Sequence, residues 1–162
     1  MTGSTDVHAV VDFYAKRGLL RNVRTTFSEG RATRVQFTWH YDRTFDLHVD
    51  YEALRLSFAD AFPNVPAASA LYRDLTGFID AMMSDRVPVH RRVDRRKTIV
   101  HGELIDANVA IVARAVDGDF DYAARKLIQV VNEIYFDFLP NSAHYEYQVQ
   151  SLGLEPNAIT FA

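Results

Sequence analysis

His40, Asp46, His48 and Asp50 alternate with large apolar residues, a spacing that puts imidazole and carboxylate groups on one side of a two-stranded ribbon. Side chains directly opposite one another on paired strands stand about 5 Å apart, close enough to share a divalent cation. In the register that matches the two apolar faces, Tyr41 pairs with Phe45, Trp39 with Leu47 and Phe37 with Val49. His40 then faces Asp46, and His48 lies between Thr38 and Arg55, whose guanidinium repels a cation. The cluster therefore reads as an outward or interface polar surface, and no metal is expected. A second group, Arg86, His90, Arg91, Arg92, Arg95, Arg96 and Lys97, falls within twelve residues. Guanidinium forks suit phosphates and carboxylates, so Arg91, Arg92, Arg95 and Arg96 are candidate contacts for an anion or an acidic partner. Asp85 and Asp94 dilute this charge and no aromatic residue interleaves with it. That argues against a nucleic-acid platform and leaves a solvated loop or a charged strand edge as the plain alternative.

His101 and Glu103 share one side of a strand, as a base and its orienting carboxylate would, but no nucleophile accompanies them, and a cross-strand polar pair is the preferred reading. The chain holds no G-x-S-x-G elbow, P-loop, G-x-G-x-x-G or H-E-x-x-H. No catalytic residue and no cofactor is assigned, and the reading leans away from an enzyme. Tyr135, Phe136 and Phe138 cover more of a helix circumference than one sheet contact can bury, and Tyr145 and Tyr147 follow. Tyr135, Phe136, Tyr145 and Tyr147 are thus candidate interface aromatics, unless the chain's own tail folds back over them.

The elements that must position these groups follow from hydrophobic period. Val7, Val10, Val11 and Tyr14 mark a first helix, capped from Ser4 to Asp6 and closed at Gly18. Val23, Thr25 and Phe27 begin a hairpin that turns at Ser28 to Arg31. Period-two runs at Val35 to Tyr41 and Phe45 to Tyr51, then Leu54, Leu56 and Phe58, extend it into a meander. A helix from Pro66 to Met82 carries an internal Gly77, which marks either a close backbone approach or nothing. A strand over Thr98 to Ile105 turns at Asp106 to Asn108 into Val109 to Val116, apolar on both sides except Arg114, as for a central strand. The last long helix runs from Phe120 to Leu139, with Pro140 beyond it. The tail fits a short helix between Ser142 and Gly153, the preferred form, although Tyr145, Tyr147 and Val149 also fit an edge strand.

The fold class is α+β: an antiparallel meander and a second hairpin in one sheet, packed by N-terminal, central and C-terminal helices. At 162 residues, 48% hydrophobic, one domain spanning 1–162 is expected, with 141–162 as an extension packing on it. The net charge of −3 supplies no global attraction to nucleic acid or membrane. The lack of cysteine, of any apolar run long enough to span a bilayer and of a signal-like start predicts a cytoplasmic protein.

This element order, with the amphipathic helix DYAARKLIQVVNEIYFDFL, resembles the bacterial YbjN family and, more remotely, the type III secretion chaperone-like fold, over roughly Asp6 to Leu139. The resemblance is architectural and transfers no site. It implies a non-enzymatic domain that pairs with itself and holds other polypeptides. The expected function is accordingly a non-catalytic protein-binding or chaperone-like homodimer. The competing readings are an enzyme or ligand carrier with a pocket lined by Trp39, His40 and His101, and an anion- or nucleic-acid-binding protein acting through 86–97.

Overall fold

The computed structural model describes residues 2–141 and 144–153. Helix α1 (Thr2–Lys16) buries Val7, Val10 and Val11 and ends at Gly18, whose φ of 77° lets the Gly18 and Leu19 amides donate back to Ala15 and Tyr14. The helix starts earlier than expected, so Ser4 to Asp6 lie within it and do not cap it. Six strands follow: β1 (Arg21–Glu29), β2 (Ala32–Thr38), β3 (Thr44–Asp50), β4 (Arg55–Phe62), β5 (Thr98–Ile105) and β6 (Asn108–Ala115). They form one sheet in the order β1-β2-β3-β4-β6-β5, with every neighbouring pair antiparallel. This is the α+β meander-plus-hairpin arrangement that the alternation implies.

Alternation decides which side of each strand is dry. Val35, Phe37, Leu47, Val49, Leu56, Phe58, Ile111 and Ala113 are all buried on one face. Helix α2 (Ala70–Met82) and helix α3 (Phe120–Glu133) cover that face, α2 against β5 and α3 against β6 and β4, with α1 packed on α3. Ser69 caps α2 by accepting from the Tyr72 amide, and Asp119 caps α3 by accepting from the Tyr122 amide. Strand β6 is central, as its two-sided apolar sequence requires, and turns from β5 through Asp106 and Ala107, both in the left-handed region. Gly77 has open space where a Cβ would stand, so it marks no close approach.

The hairpin between β2 and β3 keeps its faces but not its expected register. Phe37 pairs with Phe45, Val35 with Leu47 and Thr33 with Val49, a four-residue slide from the expected pairing. The slide arises because β2 stops at Thr38 and residues 39–43 form a loop, closed by the Trp39 amide donating to the Arg43 carbonyl, with Tyr41 and Asp42 left-handed. A slide of an even number of residues preserves side-chain parity, which is why Trp39, Phe45 and Leu47 are buried all the same.

Beyond Glu133 the chain continues as a π-helical turn (Ile134–Phe138), a short α4 (Leu139–Asn141) and α5 (Tyr145–Leu152). Pro140 lies in the first turn of α4, where its missing N–H is tolerated, and not past the end of the helical run. The tail is the helix preferred from sequence, closed by left-handed Gly153. Its start at Tyr145 follows His144, while Ser142 falls outside the described residues.

Leu47, with no exposed surface at the centre of the sheet, and Val23 on the uncovered edge strand give a direct test of this one-sided burial. Leu47→Ala is expected to cost about 2–5 kcal/mol and Val23→Ala less than about 0.5 kcal/mol, both read from urea denaturation.

Candidate functional site

The face of the sheet opposite the helices carries a cross-strand row that runs through all six strands. Phe27 pairs with Arg34, Arg34 with His48, His48 with Ser57, Ser57 with Val112 and Val112 with His101. The next row holds Glu29, Ala32, Asp50, Arg55, Arg114 and Ile99. His48 is therefore flanked by Arg34 and Ser57, not by Thr38 and Arg55 as the unslid register implied. Burial lowers its pKa, and the Arg34 charge lowers it further. Among the described residues no three histidine, aspartate or glutamate side chains stand where they could hold a metal ion.

The two halves of this face differ. Arg55 on β4 reaches diagonally across β6 to make a two-pronged ion pair with Glu103, at 2.8 and 3.1 Å, and His101 Nε2 lies 2.8 Å from the same carboxylate. Hydrogen bonds from Arg55 and then His101 hold the Glu103 carboxyl at about pKa 2. Beneath this pair Val112 and Ala110 are buried although they stand apart from the helix-covered core. His101 and Glu103 thus align on one strand as expected, with Arg55 supplying the cross-strand partner.

At the other end, none of the nine residues of β1 is buried, on either side of the strand. Hydrogen bonds to β2 hold it in place, reinforced by Arg24 to Gln36 at 2.6 Å, Asn22 to Thr38 at 3.3 Å and an ion pair between Arg21 and Asp42. Two bulges, between Arg21 and Arg24 and between Thr25 and Phe27, interrupt the ladder. An open groove of about 410 Å³ runs inward from β1 between Phe27, Arg34, His48, Arg55 and Ser57. A smaller and more enclosed one of about 200 Å³ continues past Arg34 and His48 to Asp46 and Asp60. Phe27 and Val23 are each 40% exposed, and Phe13 and Leu19 at the end of α1 slightly more. The opposite edge is less open, because the outward amide of Val100 on β5 donates to the Met83 sulfur at 3.4 Å.

The basic segment 86–97 does not gather into one cationic site. Arg91 bonds Glu133 at 3.0 Å, Arg92 turns back onto the Val87 carbonyl, and Arg96 pairs with Asp94. Lys97 lies 2.9 Å from both Asp117 and Asp119, which push its pKa up. Arg95 is exposed. Arg91 and His90 border a crevice of about 320 Å³ with Gln129, Asn132 and Glu133.

The candidate interface aromatics separate in the same way. Tyr135 is a core residue and is not offered to a partner: it stacks on Phe62, donates to the Ala61 carbonyl at 2.6 Å and accepts from Arg43 at 2.8 Å. Arg43 also donates to the carbonyls of Asp60 and Ala61, so one guanidinium ties the β2–β3 loop to β4 and to the π turn. Phe138 is buried as well, and only Phe136 of the three rings stays outside, at 65% exposure. Tyr147 is half-buried and donates to the Pro63 carbonyl at 2.7 Å, while the side chain of Tyr145 lies outside the described ones.

The expected pocket between sheet and terminal helix is not formed by its named residues. Trp39 and His40 are packed among Phe45 and Tyr135, and His101 lies on the opposite face of the sheet. His40 is turned in from the polar side, its ring stacked at 4.2 Å on Tyr135, and does not face Asp46. Burial, and then the neighbouring Arg43, bring its pKa down to about 4, and its Nε2 is buried without a hydrogen-bond partner among the described residues.

Comparison of the chain with protein families, with curated proteins and with solved structures found no match. Among the described residues no helix is long and apolar enough to cross a membrane. The sequence pattern finds β1 as the first strand of a hairpin but not its place at the edge of the sheet: Arg21 and Arg24 look like ordinary surface charge until the strand order is known.

A buried neutral histidine makes stability depend on pH. His40 binds a proton at about pH 6.5 when unfolded and only near 4 when folded, so its cost is absent above pH 6.5 and grows as pH falls toward 4. The loss is expected to reach about 3 kcal/mol. It should be visible as a difference in urea midpoint between the parent chain and His40→Gln across that window, the variant lacking this component of the decline.

Proposed function

We propose that the protein is a non-catalytic polypeptide-binding module that accepts an extended segment of another chain as a seventh strand along β1. The observation that carries this reading is the full exposure of β1 on both faces, combined with hydrogen bonding along one edge only. An edge strand presents a row of unpaired N–H and C=O groups, and an added strand satisfies them while its side chains find neighbours on alternating sides. Phe27 and the groove behind it lie on one side of such a segment, and Thr25, paired with inward Val35, lies on the other. The two bulges limit the length of ladder that a flat strand can join, which favours a short segment over indefinite stacking. The sealed half of the sheet, with Glu103 held ionised by Arg55 and His101, supports a scaffold role for those side chains instead of proton transfer.

The test is amide hydrogen exchange with a nine-residue peptide of alternating glutamate and valine, blocked at both ends. Exchange at residues 21–29 should slow by about tenfold or more at saturation. No slowing there, or slowing at β5 in its place, defeats the reading. Slowing that depends on protein concentration without peptide would make a second copy the occupant and overturn the assignment to another chain.

A further inference from the structure

Resting on that strand addition, we infer that the incoming segment is acidic on the side that faces the open surface, with an apolar residue beside Phe27. Arg21, Arg24, Phe27 and Glu29 are the β1 residues paired on that side, since their partners are Thr38, Gln36, Arg34 and Ala32. Arg24 is held toward β2 by a hydrogen bond to the neutral amide oxygen of Gln36, which fixes its direction without cancelling its charge. Gln36 in turn donates to Asp46 at 3.2 Å, so the nearest carboxylate in that row is held one strand further from the edge. Arg34 makes no ion pair among the described residues, and it borders the groove that opens at Phe27. Arg17, at the end of α1, lies 3.5 Å from the centre of the Phe13 ring and donates to the Phe13 carbonyl, again without a carboxylate. By contrast Arg21 and Arg31 are matched by Asp42 and Glu52.

The edge therefore keeps positive charge in reserve at one end and ends in Glu29 at the other. On a neighbouring strand, the residue opposite Arg24 comes within about 5 Å and meets an oriented guanidinium, an arrangement suited to a carboxylate. One opposite Phe27 meets an aromatic ring, and one opposite Glu29 is repelled if it is acidic. The groove gives a second carboxylate access to Arg34 and Arg55, with the Ser57 hydroxyl and His48 beside them and Asp50 as its one acidic lining residue.

The experiment compares the glutamate–valine peptide with its glutamine–valine and lysine–valine counterparts, reading affinity by titration calorimetry and strand addition by exchange at residues 21–29. The glutamate peptide is expected to bind about tenfold or more tightly than the glutamine one, equivalent to about 1.4 kcal/mol. Raising the salt concentration should erode the difference, Arg24→Gln with Arg34→Gln should abolish it, and Arg24→Lys should restore part of it. Equal affinities for the glutamate and glutamine peptides, with both slowing exchange along β1, would overturn the acidic preference and leave strand addition standing. Failure of every peptide to slow exchange would sink the underlying reading as well. Tighter binding of single-stranded oligouridylate at the same amides would reassign these arginines to a phosphate backbone and overturn the inference.

Discussion

One-sided burial is the constraint from which the rest of the molecule follows. Residues 33–38 and 44–51 alternate on either side of a loop, and the dry side of that alternation is held by α3 and by Tyr135, the latter pinned through Arg43 to the end of β4. Because a side chain can leave the dry layer only if its whole strand slips by an odd number of residues, the positions of Arg34, His48 and Ser57 on the opposite side are fixed by Val35, Leu47 and Phe58. The outward row is a by-product of the inward one. Its composition is set by the surface it presents and not by the packing of the helix-covered core.

Much of the architecture was legible because it depends on burial, and burial writes itself in period. The six strands, the two long packing helices and the closing helix at Tyr145 to Leu152 follow from spacing and caps. The register of β2 against β3 did not, because parity constrains it only to steps of two and the remaining choice rests on a five-residue loop with two left-handed non-glycine residues. No local signal announces such a loop at Tyr41 and Asp42. For His40, the same loop reverses its environment from an outward strand position to a slot between Trp39 and Tyr135.

Site residues were harder to read, since charge density along a chain says little about charge density in space. The 86–97 segment is the most basic stretch of the sequence, yet Asp94, Asp117, Asp119 and Glu133 meet several of its cations after folding. The arginines of β1 and β2 are fewer and more scattered, but the sheet order sets two of them side by side without carboxylates. Among the aromatic residues, the crowding that the sequence implied is resolved within the π-helical turn, where Tyr135 and Phe138 are both buried and Phe136 alone stays outside.

The Arg55–Glu103 pair gives the sheet a handed finish. Over β4, β6 and β5 the apolar atoms of Val112 and Ala110 already have a roof made by the chain itself, so that region needs nothing further to be complete. Over β1 no such roof exists. The molecule is thus asymmetric along its own hydrogen-bonding direction, covered at one flank and open at the other, and any assembly built by strand addition would inherit that polarity.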